Sequence, residues 1–68
     1  MYLKEAFEMV DKKYYGNPAV IYKGKTKIAG CVFASLKSIT HFYDFEIEDE
    51  NIPYDLYLDG KTLVFRVK

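Results

Sequence analysis

The sequence has almost none of the residues that hold small domains together covalently or through metals. Its 68 residues include one cysteine, Cys31, one histidine, His41, and no tryptophan. A single cysteine cannot form an intramolecular disulfide, and a thiolate zinc site needs several cysteines. A secreted protein of this length would normally carry paired cysteines, so we expect a reducing, cytoplasmic location.

Long apolar runs and an excess of charge of either sign are also missing. No stretch of 18 apolar residues occurs, and the first residues, MYLKE, lack the apolar core of a signal peptide. Ten basic and ten acidic side chains give a net charge of zero. We therefore expect no membrane contact. We also favour a protein over a nucleic acid as the partner, because dedicated nucleic-acid binders usually carry a basic excess.

Apolar and aromatic residues, by contrast, are abundant. Half of the residues are hydrophobic, and seven tyrosines and five phenylalanines supply the aromatic content. This composition excludes intrinsic disorder. A chain of this length buries only about 60% of its unfolded surface, so its core is marginal and self-association is a common supplement. We expect one domain over residues 1–68, acting as a homodimer.

The N-terminal segment has the periodicity of an amphipathic helix over residues 3–15. Its apolar residues recur at steps of three and four, which places them on one stripe. They are Leu3, Ala6, Phe7, Val10 and Tyr14. Gly16 suits the left-handed position after a helix, and Pro18 forbids continuation.

The period then falls to two residues, which is typical of strands. The turn at 24–25, with glycine in its first central position, fits type II′ between strands at 19–23 and 26–33. A two-residue turn there pairs Ile21 with Ile28.

A second hairpin is predicted near the C-terminus. The Asp-Gly dipeptide at 59–60 fits a type I′ turn between strands at 54–58 and 61–67, pairing Leu56 with Leu63. Register and hydrophobic pattern agree there, which favours the hairpin.

The middle of the chain contributes one more expected strand. Residues 39–48 alternate cleanly, with aromatic and aliphatic side chains and His41 at the odd positions. Residues 34–38 fit a helical turn, a bulge or a loop. Together the patterns predict an α+β fold, in which the N-terminal helix packs on an antiparallel sheet of about five sequential strands. An open sheet exposes two edges, so dimerisation or curling toward a barrel is expected.

The sequence predicts no catalytic residue, cofactor or metal. Cys31 and His41 both occupy apolar-patterned strand positions, where such residues are usually structural. No phosphate loop, dinucleotide motif or zinc spacing occurs. We therefore expect a protein that is not an enzyme. A further possibility, besides protein binding and nucleic-acid binding, is an enzyme or ligand-binding oligomer whose pocket forms only between subunits and is lined by His41 or tyrosine rings.

An acidic segment is the clearest candidate for partner binding. Residues 41–60 carry seven carboxylates and no lysine or arginine, whereas residues 1–40 have a net charge of +4 and residues 61–68 of +3. Carboxylates at alternate positions of one strand do not close around a cation, so we favour a surface for a basic partner over a metal site. A solvated strand face without a binding role is the other interpretation of this segment. The predicted partner-binding residues are Tyr43, Asp44, Glu46, Glu48, Asp49, Glu50 and Tyr57.

A basic hairpin tip supports the alternative function. Lysines next to an aromatic ring on a sheet are the components of a single-stranded nucleic-acid platform, although they also serve solubility. The residues predicted for this role are Tyr22, Lys23, Lys25 and Lys27. The first expectation remains a small protein-binding module. By analogy with other small intracellular domains, we expect it to be a regulator or inhibitor of a host or cellular protein.

Overall fold

The computed structural model describes residues 1–33 and 40–68 and confirms an α+β fold with one short helix and a four-stranded sheet. The helical elements within residues 1–33 are α1 (Leu3–Met9) and a 3-10 turn (Lys12–Tyr14). The strands are β1 (Pro18–Lys23), β2 (Thr26–Val32), β3 (Asp55–Leu56) and β4 (Leu63–Val67).

The helix is shorter than the predicted 3–15. Val10 and Asp11 are both extended, with ψ of 134° and 137°, and the chain then resumes as the 3-10 turn. The Asp11 side chain accepts a hydrogen bond from the Lys13 backbone N–H at 3.0 Å. Aspartate disfavours helix interiors because its carboxylate bonds to nearby backbone N–H groups, and here it begins a new turn.

The sheet is mixed rather than antiparallel, and its order is β2-β1-β4-β3. The prediction of about five sequential antiparallel strands was wrong, because β4 inserts between β1 and β3 and runs parallel to β1. Three consecutive residues of β4, Leu63, Val64 and Phe65, are buried. Such a run fits a central strand, which has a neighbouring strand on each edge.

The first hairpin turns at 24–25 as predicted. Gly24 has φ +62° and Lys25 has no positive φ, as a type II′ turn requires. The expected pairing of Ile21 with Ile28 was wrong, because the register shifts and Ile21 pairs with Ala29. The shift lets Ile28 and Ala29 both pack against the core.

The second hairpin has the predicted register, with Leu56 paired to Leu63. Its turn is not type I′. The N–H of Gly60 donates to the Tyr57 carbonyl at 2.9 Å, so Leu58 and Asp59 are the central residues and Gly60 alone has positive φ. The Asp59 carboxylate holds this loop by accepting bonds from the backbone N–H groups of Lys61 and Thr62 at 2.8 and 2.9 Å.

No continuous strand forms over the described part of residues 39–48. Residues 40–42 form a 3-10 turn, and only single bridges join Tyr2 to Glu46 and Ile47 to Val67. Phe42, from one face of the predicted strand, and Tyr43 and Phe45, from the other face, all pack against the same core. The segment therefore does not keep the regular alternation of a strand. The predicted helical turn, bulge or loop at residues 34–38 lies outside the described residues.

Backbone carbonyls of the same segment cap the start of α1. The Leu3 N–H donates to the Phe45 carbonyl at 2.8 Å, and the Lys4 N–H donates to the Tyr43 carbonyl at 3.4 Å. The first N–H groups of a helix have no partner within the helix. The carbonyls of Tyr43 and Phe45 thus accept hydrogen bonds from backbone N–H groups that have no partner within α1.

The core lies between α1 and one face of the sheet. Phe7 from the helix meets Phe65 of β4 edge-on, with ring centroids 4.6 Å apart, and Phe33 at 5.9 Å. The core face of β1 contributes Ala19 and Ile21, both at most 2% exposed. All of these contacts are on one side of the sheet. No helix of the described residues packs on the opposite side.

Candidate partner-binding face

The sheet surface opposite α1, here called the open face, is the candidate site. Side chains alternate between faces along a strand, so the residues between the core-facing ones point away from α1. Among the described residues, no helix or strand packs over this surface as α1 does over the core face. Its members on the four strands and just after β3 are Pro18, Val20, Tyr22, Lys27, Gly30, Val32, Asp55, Tyr57, Val64 and Arg66.

Apolar and tyrosine side chains of the open face are exposed to water. Val32 is 50% exposed and Tyr57 is 55% exposed. Val64, at the centre, is only 3% exposed because neighbouring side chains of the same face surround it. The open face therefore has a dry centre and a rim of exposed aromatic and aliphatic groups, which is the pattern of an interaction surface.

A shallow cleft of about 370 Å³ lies on the basic side of the open face. Val64 lies in its wall, and the guanidinium-bearing side chain of Arg66 and two tyrosines border it. The backbone hydrogen bond from Tyr57 N–H to the Thr62 carbonyl, at 2.8 Å, holds Tyr57 beside β4. We call this the tyrosine cleft, and its lining residues are Tyr22, Gly24, Lys25, Tyr57, Val64 and Arg66.

A second cleft, of about 240 Å³, lies on the other side of Arg66. We call it the acidic cleft. The Glu48 N–H donates to the Arg66 carbonyl at 2.9 Å, which brings the acidic segment alongside the end of β4. Its lining residues are Glu48, Asp49, Ile52, Asp55 and Arg66.

The predicted acidic residues do not form one surface. Glu46 pairs with Lys68 at 3.1 Å, and Glu50 pairs with the N-terminal amine at 2.6 Å. That hydrogen bond lowers the pKa of Glu50 and raises the pKa of the amine. Of the predicted acidic residues, Glu48 and Asp49 reach the open face, where they line the acidic cleft together with Asp55.

Tyr43 and Asp44 of the predicted set lie near α1. The Tyr43 ring is 5.8 Å from the Phe7 ring, and Asp44 follows it in a turn. Tyr57, in contrast, is on the open face. The structure therefore brings Glu48, Asp49 and Tyr57 to one side of the molecule, and a partner-binding role for the set remains a prediction.

The basic set is divided between the two faces of the sheet. Tyr22 and Lys25 line the tyrosine cleft, and Lys27 lies over Gly30, where an added methyl group would be 3.2 Å from Lys27 Cε. Lys23 is on the core side, with its Nζ 5.9 Å from the centre of the Phe45 ring. Three of the four residues thus share the open face.

Sequence reasoning missed Arg66 and Val64 as site residues. Alternation in β4 did indicate that both point away from Phe65 and Val67. Their role depends on β1 being the neighbouring strand, which places Tyr22 beside Arg66 and Val20 beside Val64. No local signal in the sequence identifies that neighbour.

The two residues considered for nucleophilic chemistry are in different environments. Cys31 is half-buried on the core face of β2, and burial raises the pKa of its thiol, which reduces the reactive thiolate. His41 is exposed, with its ring 4.1 Å from that of Phe42. Within residues 1–33 and 40–68, no three His, Cys, Asp or Glu side chains are arranged to hold a metal ion.

No helix in the described part of the chain is both long and apolar enough to cross a membrane. Comparisons of the chain with protein-family models, with curated proteins and with solved structures found no match.

Proposed function

We propose that this chain is a non-enzymatic protein-binding module that binds its partner with the open face of the sheet. The observation that carries the proposal is the tyrosine cleft, where Tyr22, Tyr57 and Arg66 surround the buried Val64 on a sheet surface that no described element covers.

The residue types in this cleft support a protein partner. Tyrosine and arginine are enriched among the residues that dominate binding energy at protein interfaces. Their rings and methylene groups give contact area at low entropic cost, and Val64 offers a centre that is already dry. The neighbouring carboxylates of Glu48 and Asp49 supply the polar rim that such interfaces have.

The proposal is tested with two tyrosines of nearly equal exposure. Tyr57 is 55% exposed on the open face, and Tyr15 is 57% exposed on the α1 side. A partner is first isolated by pull-down from the source cell and purified, and its affinity for the wild type and both variants is measured by calorimetry. We expect Tyr57→Ser to weaken binding by about tenfold or more and Tyr15→Ser to change it less than about twofold. Equal effects of the two variants would contradict the proposal.

A second candidate function is single-stranded nucleic-acid binding. It is favoured by Tyr22 and Lys25 lining one cleft with Tyr57 and Arg66, since exposed rings stack on bases and cations meet phosphates. The carboxylates of the acidic cleft oppose it. Titration with an oligothymidine at low salt tests it, because such binding must weaken steeply as salt rises, and no binding at low salt removes it.

A further inference from the structure

We infer that the protein bound on the open face is a second copy of this chain, stacked face to face about a two-fold axis parallel to the strands. The inference rests on the proposed function, because it names the occupant of the surface assigned there. It follows from the way in which charge, aromatic rings and apolar side chains are distributed across the strand order.

Charge on the open face changes sign from one sheet edge to the other. Lys27 on β2 and Lys25 in the adjoining turn make the β2 side basic. Asp55 on β3 and Glu48 beside the end of β4 make the β3 side acidic. The strand order β2-β1-β4-β3 keeps the two groups on opposite sides of the sheet.

This polarity is self-complementary about one axis only. In an isologous dimer each contact occurs twice, so a patch must match itself after the two-fold rotation. An axis parallel to the strands, between β1 and β4, exchanges β1 with β4 and β2 with β3. Each basic edge then lies over the acidic edge of the second copy. An in-plane axis across the strands would instead place basic edge over basic edge.

The centre of the open face matches under the same rotation. Tyr22 and Arg66 are neighbours in the parallel register, as are Val20 and Val64. Exchanging β1 with β4 therefore places Arg66 over Tyr22 of the second copy, where a guanidinium stacks on an aromatic ring. Val64 falls over Val20, so apolar groups meet at the axis.

The size of the face is consistent with a weak dimer. The molecule measures 25 × 25 × 21 Å, so one face offers about 600 Å² per partner, below the roughly 800 Å² of a standard stable interface. Sheets stacked about this axis keep their strands nearly aligned, which is the common geometry of two packed sheets about 10 Å apart. We expect a dissociation constant in the micromolar range.

Two charge-reversal variants test the axis. The basic-edge variant is Lys25→Glu with Lys27→Glu, and the acidic-edge variant is Glu48→Lys with Asp55→Lys. Sedimentation equilibrium over a range of concentrations measures self-association of the wild type, of each variant and of their equimolar mixture. Circular dichroism shows whether each variant is folded, and Tyr22→Ser against Tyr15→Ser tests the stacking contact without changing charge.

The dimer dissociation constant of each variant alone is expected to be about tenfold or more above that of the wild type, because both sheet edges of the variant then carry charge of the same sign. The mixture is expected to recover the wild-type affinity, since each reversed edge meets its opposite in a heterodimer. Dimerisation unchanged by either reversal, or no recovery in the mixture, would overturn the inference, as would a wild type that is monomeric at every concentration. In that last case the proposed function is judged separately, by the effect of Tyr57→Ser on a purified heterologous partner.

Discussion

The central position of β4 is tested most directly by removing the ring of Phe65. This side chain is fully buried, and its ring centroid is 4.6 Å from that of Phe7 and 6.3 Å from that of Tyr54. Truncating a buried phenylalanine to alanine costs about 3–5 kcal/mol. The edge-on pair with Phe7, worth roughly 0.5–1.5 kcal/mol beyond its buried area, favours the upper half of that range.

The size of the chain makes such a loss severe. Domains are stable by about 0.05–0.15 kcal/mol per residue, which for 68 residues is roughly 3–10 kcal/mol. With a urea m-value near 1 kcal/mol/M, Phe65→Ala is expected to lower the midpoint by about 4 M or to unfold the protein in buffer. Phe65→Leu, which keeps most of the volume, should cost about 1–2 kcal/mol and preserve a measurable transition.

Urea denaturation followed by circular dichroism measures these losses at one low protein concentration, so that self-association does not contribute. The matched control is Arg66→Ala on the next residue of β4. Arg66 is exposed on the open face, so its truncation should change stability by less than about 0.5 kcal/mol. A loss below about 1 kcal/mol for Phe65→Ala, or equal losses at both positions, would refute the assignment of β4 to the centre of the core.

Three further predictions concern the turns and the acidic segment. Hydrogen bonds from Thr62 and Lys61 lower the pKa of Asp59 in the folded state, so its contribution to stability is present above the unfolded pKa of about 3.9 and is lost as pH falls through the folded value. Thermal melts at pH 7 and pH 3 should therefore show Asp59→Asn destabilised at pH 7 and its deficit reduced at pH 3; a deficit independent of pH would contradict the assignment. Gly24→Ala should cost about 1 kcal/mol because φ is +62°, whereas Lys25→Ala should be nearly neutral, and similar melting temperatures for the two variants would argue against the type II′ turn. Glu46→Lys with Glu48→Lys should weaken capture of a purified partner while shifting the melting temperature little, since an exposed pair such as that of Glu46 with Lys68 is worth about 0–1 kcal/mol. Wild-type capture by the double variant would remove the acidic segment from the binding surface.

Local features were largely predictable from the sequence by itself. The turn at 24–25 and the pairing of Leu56 with Leu63 follow from glycine placement and from alternation within about ten residues of chain. The apolar stripe of the N-terminal segment identified Leu3, Ala6 and Phe7 as core residues, and all three are buried. These features depend on contacts between residues near in sequence, where periodicity carries the information.

Tertiary structure decided which elements became neighbours. The parallel pairing of β1 with β4 joins residues more than 40 positions apart, and nothing in either strand alone specifies the other. That pairing places Tyr22 beside Arg66, and with Tyr57 it forms the tyrosine cleft. Residues 40–45 were expected to form a strand, but in the structure their carbonyls cap the start of α1. Core contacts and hydrogen bonds to the unpaired N–H groups of α1 stabilise this arrangement more than the alternating pattern favours a strand. Alternation determined which face of the sheet each β4 side chain takes, and only the long-range packing of the apolar β4 between β1 and β3 determined what lies next to it.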